Sequence, residues 1–109
     1  MKTYLSDFEE LILLTIASLG SEAYGVSIKV QVESHLRRKV SIGTLHSTIA
    51  SFEERRLLSS HMGEPTPERG GRRKRLYQLT ERGKVSLHEM KAFRDNLWLA
   101  AKSNLALSK

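Results

Sequence analysis

Apolar residues recur at helical spacing through the first half of the chain. Phe8, Leu11, Ile12, Ile16 and Leu19 trace one such stripe. Ser6 and Glu9 ahead of it form an S-x-x-E capping box, and Gly20 supplies a stop, so the pattern predicts a helix over about 7–19. Leu13, Leu14 and Ala17 lie off the stripe, which leaves this helix apolar nearly all round and calls for a second covering surface such as another subunit. Tyr24, Ile28, Val32 and Leu36 stand four apart and predict a second helix over about 23–36. A short connection, Arg37-Arg38-Lys39-Val40, leads to Ser41, a good N-cap for a third helix over about 42–55. Its buried stripe is read as Ile42, Leu45, Ile49 and Phe52. Gly43, Ser47, Ala50, Ser51 and Glu54 fall on the opposite face, with Thr44 and His46 at the flanks.

Periodicity then changes. Leu57–Met62 reads as a short strand, residues 63–71 as a loop with three glycines and two prolines, and Arg72–Leu79 as a second strand with Tyr77 and Leu79 on one face. Thr80 caps a final helix over about 81–106, roughly 40 Å long at 1.5 Å per residue. Its apolar stripe is Leu87, Met90, Leu97, Trp98, Ala101 and Leu105. The order is helix, helix–short turn–helix, hairpin, long helix. This predicts a mainly α fold with a small β-hairpin: a winged helix-turn-helix domain over residues 1–80 and a C-terminal dimerisation helix over 81–109. The third helix would enter the DNA major groove and the hairpin would lie along the neighbouring backbone.

Charge sharpens that picture. The chain of 109 residues has a net charge of +6, which points to an anionic partner. Residues 37–84 hold twelve basic and five acidic side chains, whereas residues 1–36 hold two and five. The densest run, Arg69-Gly70-Gly71-Arg72-Arg73-Lys74-Arg75, follows both prolines and reads as a loop or hairpin tip, a better match to a phosphate backbone than to a lipid plane. The longest apolar run, Leu11–Ala17, is too short to cross a membrane, and its acidic flank does not look like a targeting segment. With no cysteine, thiolate metal sites and disulfides are excluded, and a cytoplasmic location is expected. No two of His35, His46, His61 and His88 stand four apart, so no metal is expected. No convergent set of acid, base and nucleophile is found, so neither an enzyme nor a cofactor is expected.

Several segments in fixed order carry a family resemblance. Asp7-Phe8-Glu9-Glu10-Leu11-Ile12-Leu13-Leu14, Ala23-Tyr24-Gly25, Ser41-Ile42-Gly43-Thr44-Leu45, Phe52-Glu53-Glu54, the basic run with Tyr77, and Leu79-Thr80-Glu81-Arg82-Gly83 resemble the PadR family of bacterial transcription regulators. The likeness spans about residues 5–88. It implies a winged helix-turn-helix homodimer that binds double-stranded operator DNA, usually as a repressor, with dimer contacts on the last helix. Three positions differ: the family usually has Tyr where this chain has His46, a basic residue where it has Ser51, and Gly where it has Arg56.

The third helix up to Glu54 has no Lys or Arg. Most of the affinity for DNA is therefore assigned to phosphate contacts from Arg37, Arg38 and Lys39 and from Arg69, Arg72, Arg73, Lys74 and Arg75. Ser41, Gly43, Thr44, His46 and Ser47 would add hydrogen bonds and shape fit. The dimer contacts are assigned to Leu13, Leu14, Leu87, Met90, Leu97, Trp98, Ala101 and Leu105. Trp98 has two readings, a dimer-core aromatic or, by the family resemblance, a platform for a planar aromatic effector. A protein–protein adaptor without DNA-binding function stands as the alternative to the DNA-binding regulator.

Overall fold

The computed structural model describes residues 4–65 and 73–108. Three helices form its base: α1 (Asp7–Leu19), α2 (Gly25–Leu36) and α3 (Ile42–Glu54). A two-stranded antiparallel hairpin follows, β1 (Leu58–Met62) and β2 (Arg75–Leu79), and then the long α4 (Glu81–Ala101). The three caps foreseen from sequence are all made. Ser6 Oγ accepts from Glu9 N–H at 3.2 Å while Glu9 Oε1 accepts from Ser6 N–H at 2.9 Å. Ser41 Oγ accepts from Thr44 N–H at 3.0 Å and Thr80 Oγ1 from Gly83 N–H at 3.0 Å. Each satisfies a helix-end donor that would otherwise lack a partner.

α2 starts two residues later than its apolar spacing suggests, because Ala23 and Tyr24 are extended and an isolated β-bridge joins Tyr24 to β2. Tyr77 N–H donates to the Ala23 carbonyl at 2.9 Å, and Tyr24 bridges Leu76. Lys74 Nζ sits 4.2 Å from the centre of the Tyr24 ring, a cation–π contact that ties the wing to the start of α2. The β ladder runs from Leu58 opposite Leu79 to Met62 opposite Arg75. Beyond that last pair, Gly63 N–H donates to the Lys74 carbonyl at 2.7 Å, and Arg72, where the second strand was expected to start, lies outside the described residues.

The core packs Leu5, Ile12, Leu13 and Ile16 against Ile28, Val32, Leu45, Ile49, Phe52, Leu57 and Met90. Two residues expected at a subunit interface, Leu13 and Met90, are thus buried inside the protomer, at 0% and 1% exposure. α4 crosses α1 near its own midpoint, and there Met90 enters the core and Arg94 pairs with Asp7 at 2.5 Å and Glu10 at 2.9 Å. Ile42, expected on the buried stripe, is half exposed, because Val40 in the preceding turn already closes that end of the core. α4 ends at Ala101 and gives way to a 3-10 turn, Lys102–Asn104, so Leu105 lies beyond the helix. Ser103 and Asn104 favour such an end, as their side chains compete for backbone hydrogen bonds. Gly83 explains its own place in the sequence: a Cβ there would collide with the Leu57 carbonyl oxygen, so only glycine lets α4 start this close to the hairpin.

Candidate nucleic-acid interface

The turn between α2 and α3 is built by local chemistry. Arg37 takes a left-handed conformation (φ 56°, ψ 38°) that ends α2, and its N–H donates to the Glu33 carbonyl at 2.7 Å. Glu33 Oε2 accepts from Val40 N–H at 2.7 Å and from Lys29 Nζ at 3.0 Å. The Val40 N–H, and then Lys29, hold the Glu33 carboxyl below its ordinary value. This carboxylate clamps the turn from inside and leaves the side chains of Arg37, Arg38 and Lys39 outside. All three are exposed, and none forms a salt bridge to a described residue. They rim, with Val30, Glu33 and Ser34, a shallow depression of about 470 Å³.

The exposed strip continues directly into α3. From Arg37 to Ser47 only Val40 and Leu45 are buried; Ser41, Ile42, Gly43, Thr44, His46 and Ser47 all face solvent, and the strip contains no acidic residue. Gly43 has open space where a Cβ would be. In the wing, Arg73 is exposed, whereas two other basic residues have internal duties: Lys74 lies on Tyr24, and Arg75 Nη1 donates to Ser60 Oγ at 2.9 Å. Ser60 Oγ in turn donates to Glu53 Oε2 at 3.0 Å, so α3, β1 and β2 are linked across their outer edge. Arg69 and Arg72 lie outside the described residues.

Away from this strip, an open groove of about 680 Å³ runs between α1 and α4, lined by Leu14, Ala17, Leu79, Leu87 and Trp98 among others. Every residue from Lys91 to Ala100 is exposed; Phe93, Leu97, Trp98 and Leu99 are 46–72% exposed, and Leu14 on α1 is 50% exposed. Ala101 is half-buried, and Leu105 is 45% exposed beyond the helix end. Among the described residues there is no group of three or more His, Cys, Asp or Glu that could hold a metal ion. Nor is any described helix long and apolar enough to cross a membrane.

Sequence reasoning did not find Glu33, whose link to Val40 pairs a side chain with a backbone donor seven residues on. It also missed Ile42 as a surface residue.

A wing and an acid-free helix-turn-helix strip on one short chain narrow the comparison with known proteins. The model of the transcriptional regulator PadR-like family matches residues 12–89. The chain belongs to the PadR-like family of transcriptional regulators. A PadR-like transcription factor from Bacteroides fragilis is 28% identical, with a TM-score of 0.67 over 87% of this chain and 86% of that one. A PadR family transcription regulator from hypervirulent Clostridium difficile is 26% identical, with a TM-score of 0.67 over 93% of this chain and all of that one. A PadR-like transcriptional regulator from Bacillus cereus shares the fold at 20% identity, with a TM-score of 0.70 over 92% of each chain. No curated protein shows significant similarity to the chain. Members of the PadR-like family regulate transcription, and the winged-helix reading of residues and spacing agrees with that membership.

Proposed function

We propose that this PadR-like regulator is a cytoplasmic, homodimeric repressor that binds operator DNA. Residues 1–80 serve as the DNA-binding unit and the C-terminal segment 81–109, which holds α4, as the dimerisation element. The observation that carries the reading is the exposed strip Arg37–Ser47, free of acidic residues and continuous with the outer face of α3. Three cations with no salt bridge to a described residue stand at its start and suit neighbouring phosphates, and α3 is narrow enough for the major groove.

Dimerisation is supported by the outer half of α4. Phe93, Leu97, Trp98 and Leu99 are large apolar side chains that a lone chain leaves in water. Leu14 and Leu87 extend this set along α1 and the groove. A planar aromatic effector suits the same groove, where Trp98 offers a stacking face between subunits.

The double variant Leu97→Glu/Trp98→Glu tests the dimer without disturbing the core, since both side chains are more than half exposed. Sedimentation should show a wild-type dimer and a folded variant monomer, and the variant should lose most of its affinity for duplex DNA. A variant that still sediments as a dimer contradicts the assignment of α4.

A further inference from the structure

α3 has nothing with which to fork onto a purine. From Ile42 to Glu54 it contains no Arg, Lys, Asn or Gln, the side chains that make paired hydrogen bonds to guanine or adenine in the major groove. Its hydroxyl protons are largely spent on the helix itself. Ser47 Oγ and Thr48 Oγ1 donate to the Thr44 carbonyl at 3.2 and 2.8 Å, and Ser41 Oγ donates to Thr44 Oγ1 at 2.7 Å. Alongside exposed Thr44, His46, Ser47, Glu53 and Glu54, the helix presents hydrocarbon outward. Ile42 is 50% exposed at its first position. Ala50 is exposed two helical turns further along the same face, with His46 between them. Beside Ile42, Gly43 carries no side chain, and a Cβ built there would meet nothing within 4 Å.

An apolar side chain so placed, three residues after the last of three exposed cations, suits a partner that is anionic at its rim and apolar within. The major groove is such a surface where it carries thymine, whose 5-methyl group is the apolar feature of the base edge. We propose that Ile42 is a specificity-determining residue that packs on thymine 5-methyl groups, so that the operator half-site carries A·T pairs where α3 enters. This rests on the reading of α3 as the DNA-contacting helix.

The test uses a duplex selected from a randomised library by the wild-type chain, then resynthesised with deoxyuridine for thymidine. That exchange removes only the 5-methyl groups. Wild type should lose about fourfold in affinity for each methyl it covers, and about fifteenfold for one in each half-site. Ile42→Ala should bind both duplexes with nearly equal affinity, with an unchanged salt dependence and an unchanged thermal midpoint. Equal binding of both duplexes by wild type overturns the proposal, and so does an Ile42→Ala variant that loses as much as wild type on the exchange. In both of those cases the DNA-binding reading stands. Failure of wild type to enrich any sequence removes that reading and this proposal together.

Discussion

Arg56 has a left-handed backbone, φ 61°, where α3 hands over to β1. The turn is well anchored: Arg56 N–H donates to the Glu53 carbonyl at 3.0 Å, and the Arg56 carbonyl accepts from Thr80 Oγ1 at 2.6 Å. A residue with a Cβ pays about 1–2 kcal/mol for this conformation, while glycine adopts it freely. The PadR resemblance points the same way, since the family usually has glycine here. Arg56→Gly should therefore raise stability by about 1 kcal/mol, partly offset by the greater freedom of glycine in the unfolded chain. The measurement is the urea midpoint at unchanged m; a midpoint that stays put or falls contradicts the assigned strain. Sequence flagged this position as a departure, and its backbone angle supplies the physical reason. Ile42 shows the opposite case. Its spacing to Leu45 and Ile49 placed it on the buried stripe, but spacing fixes only direction around a helix. It does not show that the core stops at Val40.

Elements were more legible than the contacts between them. α1, α3 and the hairpin lie within a few residues of their expected places, because caps and turn residues mark their ends in the sequence. The start of α2 was misjudged because an isolated bridge at Tyr24, with one backbone bond to Ala23, leaves no alternating pattern to see. Leu13 was assigned to a partner because a helix apolar all round looks uncovered until the crossing helix α4 is in place, and Met90 because it lies on the long apolar stripe of α4 itself. The clamp inside the helix-turn-helix has a consequence for acid stability. The Glu33 carboxyl is held below its ordinary value of 4.5, chiefly by the Val40 N–H and then by Lys29. A carboxylate lowered in the folded state stabilises fully above the unfolded value and loses that contribution as pH falls through the folded one. Glu33→Gln keeps an oxygen that can accept from Val40 but removes the charge. Its thermal midpoint should lie below wild type at pH 7, and the two should converge as pH falls below about 4.5. A gap that stays constant from pH 7 to pH 3 contradicts the clamp.

At the scale of the whole molecule, the two proposed functions are assigned to different surfaces. The strip from Arg37 to Ser47 and exposed Arg73 form the basic side, and the outer half of α4 with Leu14 forms the apolar one. Family and architecture were legible in the sequence, since ordered motifs survive errors of a few residues at each boundary. Which basic residues make internal contacts was not, because Lys74 on Tyr24 and Arg75 on Ser60 look in sequence like the rest of the run. The central claim is that this PadR-like regulator binds duplex DNA through phosphate contacts from the turn and the wing. Its most direct test is the salt dependence of duplex binding by wild type and Arg38→Ala/Arg73→Ala, followed by fluorescence anisotropy. Each phosphate contact adds about −0.9 to the log–log slope on B-DNA. Two side chains in each subunit of a dimer should flatten the slope by up to about four units and weaken binding to all sequences alike, with little change in fold stability. An unchanged slope and affinity in the double variant would contradict the account.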